Sequence, residues 1–117
     1  MGIVESLKLT QSQFSFLVIL GITANAVGLF TGVMMIDGAL YALIAKNMVI
    51  SGDYTFLTLH GFDWLDKPHF QFWCTALSYH IFGINSFAYK LPAFIFWSIG
   101  LRYTYLLADN LYNTHVA

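Results

Sequence analysis

Phe14-Ser-Phe-Leu-Val-Ile-Leu-Gly21-Ile-Thr23-Ala-Asn25-Ala-Val-Gly28-Leu-Phe-Thr31-Gly-Val-Met-Met-Ile36 is a run of 23 residues without one Asp, Glu, Lys or Arg. At about 1.5 Å of rise per residue it is long enough to cross a hydrocarbon core of roughly 30 Å. It reads as a transmembrane helix over residues 14–36. The apolar core of a cleaved leader is shorter, about 7–15 residues, and no small-x-small site closes this run cleanly. Thr23, Asn25 and Thr31 interrupt the apolar surface, which turns one side of the span toward other helices.

The whole chain has the same character. Of its 117 residues, 58% are hydrophobic, 18% aromatic and only 9% charged, with a mean hydropathy of +0.67. A soluble domain is near half apolar and a quarter charged, so this chain belongs in a bilayer. A net charge of −1 with no basic block excludes nucleic acid and an anionic membrane surface as electrostatic partners. The single Cys74 excludes an intrachain disulfide. A second apolar stretch, residues 91–108, is opened by Pro92, whose missing N–H suits a first helical turn. Arg102 lies inside it and is expected to snorkel toward the Asp109 end. The expected fold is therefore an all-α integral membrane protein: two transmembrane helices, 14–36 and 91–108, joined by an interfacial loop over 37–90.

The loop reads as two short amphipathic helices lying in the interface. The first runs from Gly38 to Ile50, with Asp37 as its N-cap and Ser51-Gly52-Asp53 as its stop. At 100° per residue Asp37, Tyr41, Ile44 and Met48 share one face and Lys46 projects from the other, so Lys46 cannot neutralise Asp37. The second helix starts with Pro68 at its first position and ends before Gly83. Phe70, Trp73, Leu77 and Ile81 form an apolar stripe opposite Gln71, Thr75 and Ser78, the pattern of a helix in the interface plane. Between the helices, residues 53–65 read as a loop whose Tyr54, Phe56, Phe62 and Trp64 suit headgroup level.

Where charge is this scarce, each ionic group beside the membrane is a site candidate. Asp37 caps a helix or, at the mouth of a membrane cavity, takes a proton from an incoming hydroxyl or amine; the two roles are compatible. Lys67 adds its ammonium to the free N–H groups of a helix start, a point that binds anions such as a lipid phosphate. The bland alternative is an Asp66–Lys67 surface pair worth at most about 1 kcal/mol. Asp66 is a candidate metal ligand with His60, His69 or His80, although no two histidines have the spacing of a helical zinc motif. His115 sits in a tail that carries no such argument.

Taken in order, Asp37-Gly-Ala-Leu-Tyr41-Ala-Leu-Ile-Ala45-Lys-Asn-Met48, Ser51-Gly52-Asp53-Tyr54, Trp64-Leu-Asp66-Lys67-Pro68, Phe72-Trp73, Ile81-Phe82-Gly83-Ile-Asn85 and Lys90-Leu91-Pro92 resemble the amino-terminal part of family 39 glycosyltransferases. That group includes aminoarabinose transferases of lipid A and relatives of protein O-mannosyltransferases. The resemblance implies a GT-C fold and transfer of a sugar from a polyprenyl-phosphate donor to a lipid, glycan or protein. It implies that Asp37 is the base or acceptor-binding carboxylate, and that Lys67 contacts the donor phosphate. Tyr41 and Asp53, inside the matched motifs, join Lys67 as substrate-binding candidates. Asp66 becomes a ligand for a divalent metal. The sequence departs from the family at Asp66, where glutamate is usual, and at His69, where a second proline is frequent.

Family members are several times longer, so the resemblance implies a fragment that is inactive alone. It also implies a bacterial inner membrane with loop 37–90 on the extracytoplasmic side. The lysine count, with Lys46, Lys67 and Lys90 in the loop against Lys8 before it, favours the opposite orientation. The family orientation is preferred because those lysines have site roles. The competing reading is a small non-enzymatic two-span membrane subunit, for assembly or transport, whose loop charges only cap helices.

Overall fold

The computed structural model describes residues 10–33 and 35–111. Lys8 and His115, used above, lie outside them. The described chain is mostly helical: α1 (Gln11–Gly28), α2 (Ile36–Ser51), α3 (Phe70–Phe82) and α4 (Ser86–Leu111), with a two-stranded hairpin, β1 (Thr58–Leu59) and β2 (Phe62–Asp63), between α2 and α3. It divides into two units, one made of the residues up to Gly28 and from Ile95 onward, the other of Leu29–Phe94.

In the first unit Phe14 of α1 lies against Tyr105 in the distal part of α4, at 6.0 Å between ring centroids. Large apolar side chains such as Phe16, Ile19, Val27, Phe96 and Leu107 point outward, the surface expected of helices solvated by lipid. The polar interruptions of α1 do not reach for another helix here. Thr23 donates to the Ile19 carbonyl at 2.7 Å and Asn25 to that of Gly21 at 2.9 Å, satisfying themselves on their own backbone. Thr104 and Asn110 do the same on α4.

Both apolar helices differ in extent from the sequence expectation. The first helix stops at Gly28 rather than Ile36, leaving 18 residues, about 27 Å. The remaining apolar residues turn out of the helix, and Leu29 is buried in the other unit. At 26 residues α4 is, among the described residues, the helix long and apolar enough to cross a membrane; α1 is a shorter apolar helix. It begins before residue 91 because Asn85 caps it, its Oδ1 accepting the Ala88 N–H at 2.9 Å. Pro92 consequently sits inside the helix, not in its first turn.

The second unit is built on α2 and α3. α2 begins at Ile36 with Met35 as its N-cap and no side-chain capping bond, so Asp37 is an acidic residue of the first turn rather than the cap. Its charge there still favours the positive end of the helix. Gly52 ends α2 as expected, at φ 72°, donating its N–H to the Met48 carbonyl. The segment read as a loop contains the hairpin, with Thr58 opposite Asp63 and Leu59 opposite Phe62. His60 and Gly61 form its two-residue turn with φ of 53° and 82°, the doubly left-handed geometry that matches strand twist. The sequence signal is weak because His replaces the usual Asn or Asp. α3 starts at Phe70 with His69 as N-cap, so Pro68 precedes the helix instead of opening it.

Ile44, Ala45, Met48, Leu57, Phe72, Tyr79 and Ala88 form the core of this unit. The sides of α3 divide only in part as the sequence implies: Gln71 is exposed, while Thr75 and Ser78 are buried together with Phe72 and Tyr79. Phe70, Trp73, Leu77 and Ile81 are 60%, 49%, 63% and 65% exposed, whereas Thr75, Ala76 and Ser78 are buried. The stripe is thus not the core side: helices meeting in or on a bilayer select small residues for their contact and leave bulky apolar ones to lipid. Burial of the Tyr79 phenol raises its pKa to about 12, with the Tyr89 phenol as the second cause. Because the folded value exceeds the ordinary phenol value of 10.0, the stability it contributes is complete below pH 10 and is lost as pH rises through 12. In an alkaline absorbance titration, Tyr79→Phe is expected to remove a tyrosine component near pH 12.

Candidate functional site

Three aromatic rings from three different elements meet at one point. Tyr41 of α2, Trp64 after β2 and Phe72 of α3 form a triangle with centroid separations of 5.8, 5.8 and 5.6 Å. Two of the contacts are edge-on, at 87° and 84°, the arrangement favoured by ring quadrupoles. The Trp64 N–H donates to the Leu57 carbonyl at 2.7 Å, which ties the exit of the hairpin to its entrance. The triangle therefore fixes the path of the chain into Asp66 and Lys67.

Asp37 lies four residues before Tyr41 and Lys67 three residues after Trp64, so each charge is near one of the three rings in sequence. Asp37 is exposed, and no hydrogen bond or ion pair to it occurs among the described residues. Lys67 pairs with Asp66 at 3.8 Å, with side-chain exposures of 47% and 68%. Such a pair is weak enough for a phosphate to displace. Because α3 begins at Phe70, its free N–H groups do not converge on Lys67 as the sequence suggests. Tyr41 is half-buried in the triangle, and its ring supports the site from beneath. Asp53 is occupied locally: its Oδ1 accepts the Thr55 N–H at 2.8 Å and that of Phe56 at 3.4 Å, shaping the turn after α2.

Two of the histidines, His69 and His80, have structural partners. His69 Nε2 bonds the Thr55 carbonyl at 2.9 Å, His80 bonds the Tyr54 hydroxyl, and Trp73 Nε1 donates to the Tyr54 carbonyl at 2.8 Å. Together they clasp residues 54–55 onto α3. No group of three or more His, Cys, Asp or Glu that could hold a metal ion occurs among the described residues. Asp66, a lone carboxylate beside an ammonium, does not make a metal site by itself.

Two residues quoted within the sequence motifs take structural roles that the sequence did not specify. Asn85 both caps α4 and donates to the carbonyls of Phe82 and Gly83 at 2.8 and 3.2 Å, joining α3 to α4. Its position after Gly83 was the available signal. Lys90 places its ammonium on Thr31 and Gly32, far away in sequence. A cleft of about 300 Å³ opens along α2, lined by Val33, Ala39, Leu43, Lys46, Tyr79 and Tyr89 among others. None of the five sequence candidates lines it.

No family model and no solved structure matches this chain. Curated proteins do. The chain is 29% identical over 82 residues, 70% of its length, to undecaprenyl phosphate-alpha-4-amino-4-deoxy-L-arabinose arabinosyl transferase 1 of Pseudomonas fluorescens. It is 28% identical over 81 residues to the corresponding transferase of Pseudomonas aeruginosa PAO1, and 33% over 82 residues to an uncharacterized protein of Aquifex aeolicus. The chain covers 14%, 15% and 16% of those three proteins respectively. Two of the three are named arabinosyl transferases, and the chain spans only about a seventh of the length of the relatives it matches.

Proposed function

We propose that this chain carries the acceptor-activating and donor-phosphate-binding loop of a membrane glycosyltransferase that uses a polyprenyl-phosphate sugar. The observation that carries the reading is the aromatic triangle, with Asp37 four residues before its Tyr41 and the weakly paired Lys67 three residues after its Trp64. Similarity to undecaprenyl-phosphate aminoarabinose transferases supports the donor class. On this reading α1 and α4 are two spans of a GT-C fold in the bacterial inner membrane, with loop 37–90 on the extracytoplasmic side.

The chemistry follows from the two charges. Asp37 takes a proton from an acceptor hydroxyl or amine, and the freed electron pair attacks the anomeric carbon of the sugar. The bond from that carbon to the phosphate oxygen breaks, and the phosphate leaves with the extra negative charge, which Lys67 stabilises. Tyr41 and Asp53 shape the site around the substrate. No step is routed through a metal: among the described residues Asp66 belongs to no group of three or more ligand-type side chains.

Lys67→Ala is expected to weaken binding of undecaprenyl phosphate about 10-fold, the loss of one charge-assisted hydrogen bond worth about 1.5 kcal/mol. Titration of the protein in lipid nanodiscs checks this. An unchanged affinity would remove Lys67 from the phosphate site.

A further inference from the structure

Lys90 and Tyr89 meet the chain before and after Asp37 in sequence. The Lys90 ammonium lies 3.0 Å from the Thr31 carbonyl, 2.8 Å from the Thr31 hydroxyl and 3.2 Å from the Gly32 carbonyl. Three oxygens thus face one ammonium. These carbonyls belong to the apolar run that leaves the α1 helix at Gly28, and a continued helix would have bonded them internally. At Gly38, the residue after Asp37, the Tyr89 hydroxyl lies 3.7 Å from where a side chain would begin, and Val33 Cγ1 lies 3.0 Å from it. An alanine at Gly38 would push on Val33, so the glycine admits this close approach.

From these two contacts we infer that Lys90, with Tyr89, is a positioning residue for Asp37: it fixes the turn from which α2 departs and so the place of the carboxylate. The inference rests on the role proposed above for Asp37. A misplacement of about 1 Å at a reacting group can cost on the order of 100-fold in rate, so the geometry of this turn is a rate-determining property. Lys90 touches no substrate in this scheme.

The test separates positioning from folding and from the reading of Asp37 itself. In membranes expressing the protein from its own gene, Lys90→Met is expected to lower kcat per folded molecule by roughly 10- to 100-fold with donor KM unchanged. Lys90→Arg is expected to restore most of it, and Thr31→Val, which removes one of the three oxygens, to have a smaller effect in the same direction. A kcat loss accounted for entirely by less folded protein, or none at all, would overturn the inference. Placement is also read without turnover. With Cys74→Ala, a thiol introduced by Asp37→Cys should react with a charged alkylating reagent at a rate changed several-fold by Lys90→Met or Thr31→Val. An unchanged rate overturns the positioning role, whereas full transfer by Asp37→Asn overturns the proposed base and leaves the thiol result standing by itself.

Discussion

Asp37→Asn is expected to reduce sugar transfer by at least about 100-fold while the protein still inserts and folds. The substitution keeps size and hydrogen-bonding capacity and removes the ability to accept a proton. Stability should move little, because Asp37 is exposed and has no bonded partner among the described residues. Loss of its negative charge at the first turn of α2 costs only about 0.3–1 kcal/mol. The comparison that decides is kcat against donor KM: a base acts on the acceptor, so kcat collapses and donor KM stays. Transfer assays with radiolabelled polyprenyl-linked sugar, normalised to folded protein, provide the measurement. Turnover equal to wild type would remove Asp37 from the chemistry.

Phe72→Ala is expected to be the most destabilising single change in the loop unit, by about 3–5 kcal/mol. Phe72 is 1% exposed and supplies both edge-on contacts of the triangle. Its loss leaves a cavity where α2, α3 and the Trp64 segment meet. It should therefore affect both Asp37 and Lys67, raising donor KM and lowering kcat together. Phe70→Ala, two residues earlier on the exposed stripe, is the control and should change the unfolding midpoint of the detergent-solubilised protein hardly at all. Equal effects of the two substitutions would show that the triangle does not hold the site.

Much of this arrangement is legible in the residues. Gly52 and Gly83 stop α2 and α3 where the backbone takes a positive φ, and both are conspicuous in the sequence. The stripe of Phe70, Trp73, Leu77 and Ile81 is visible by its period, and its exposure follows once lipid rather than a core is taken as its neighbour. The starts of the helices were harder. Proline at residues 68 and 92 looks like a helix opener, but His69 caps α3 after the first, and Asn85 caps α4 well before the second. The end of α1 was not legible at all. Nothing in an unbroken apolar run signals that Lys90, nearly sixty residues later, captures the Thr31 and Gly32 carbonyls. The same is true of the site: Asp37 and Lys67 are conspicuous as rare charges, whereas the rings that relate them are ordinary aromatic residues until the fold brings them together.

The account depends on Asp37 and Lys67 serving one substrate. With Cys74→Ala removing the native thiol, cysteines placed by Asp37→Cys and Lys67→Cys should be joined by a short bifunctional thiol reagent in the membrane-embedded protein. Undecaprenyl phosphate, by occupying the space between them, should block that link. A pair that cannot be joined, or that is joined equally well with the lipid phosphate present, would contradict a shared site.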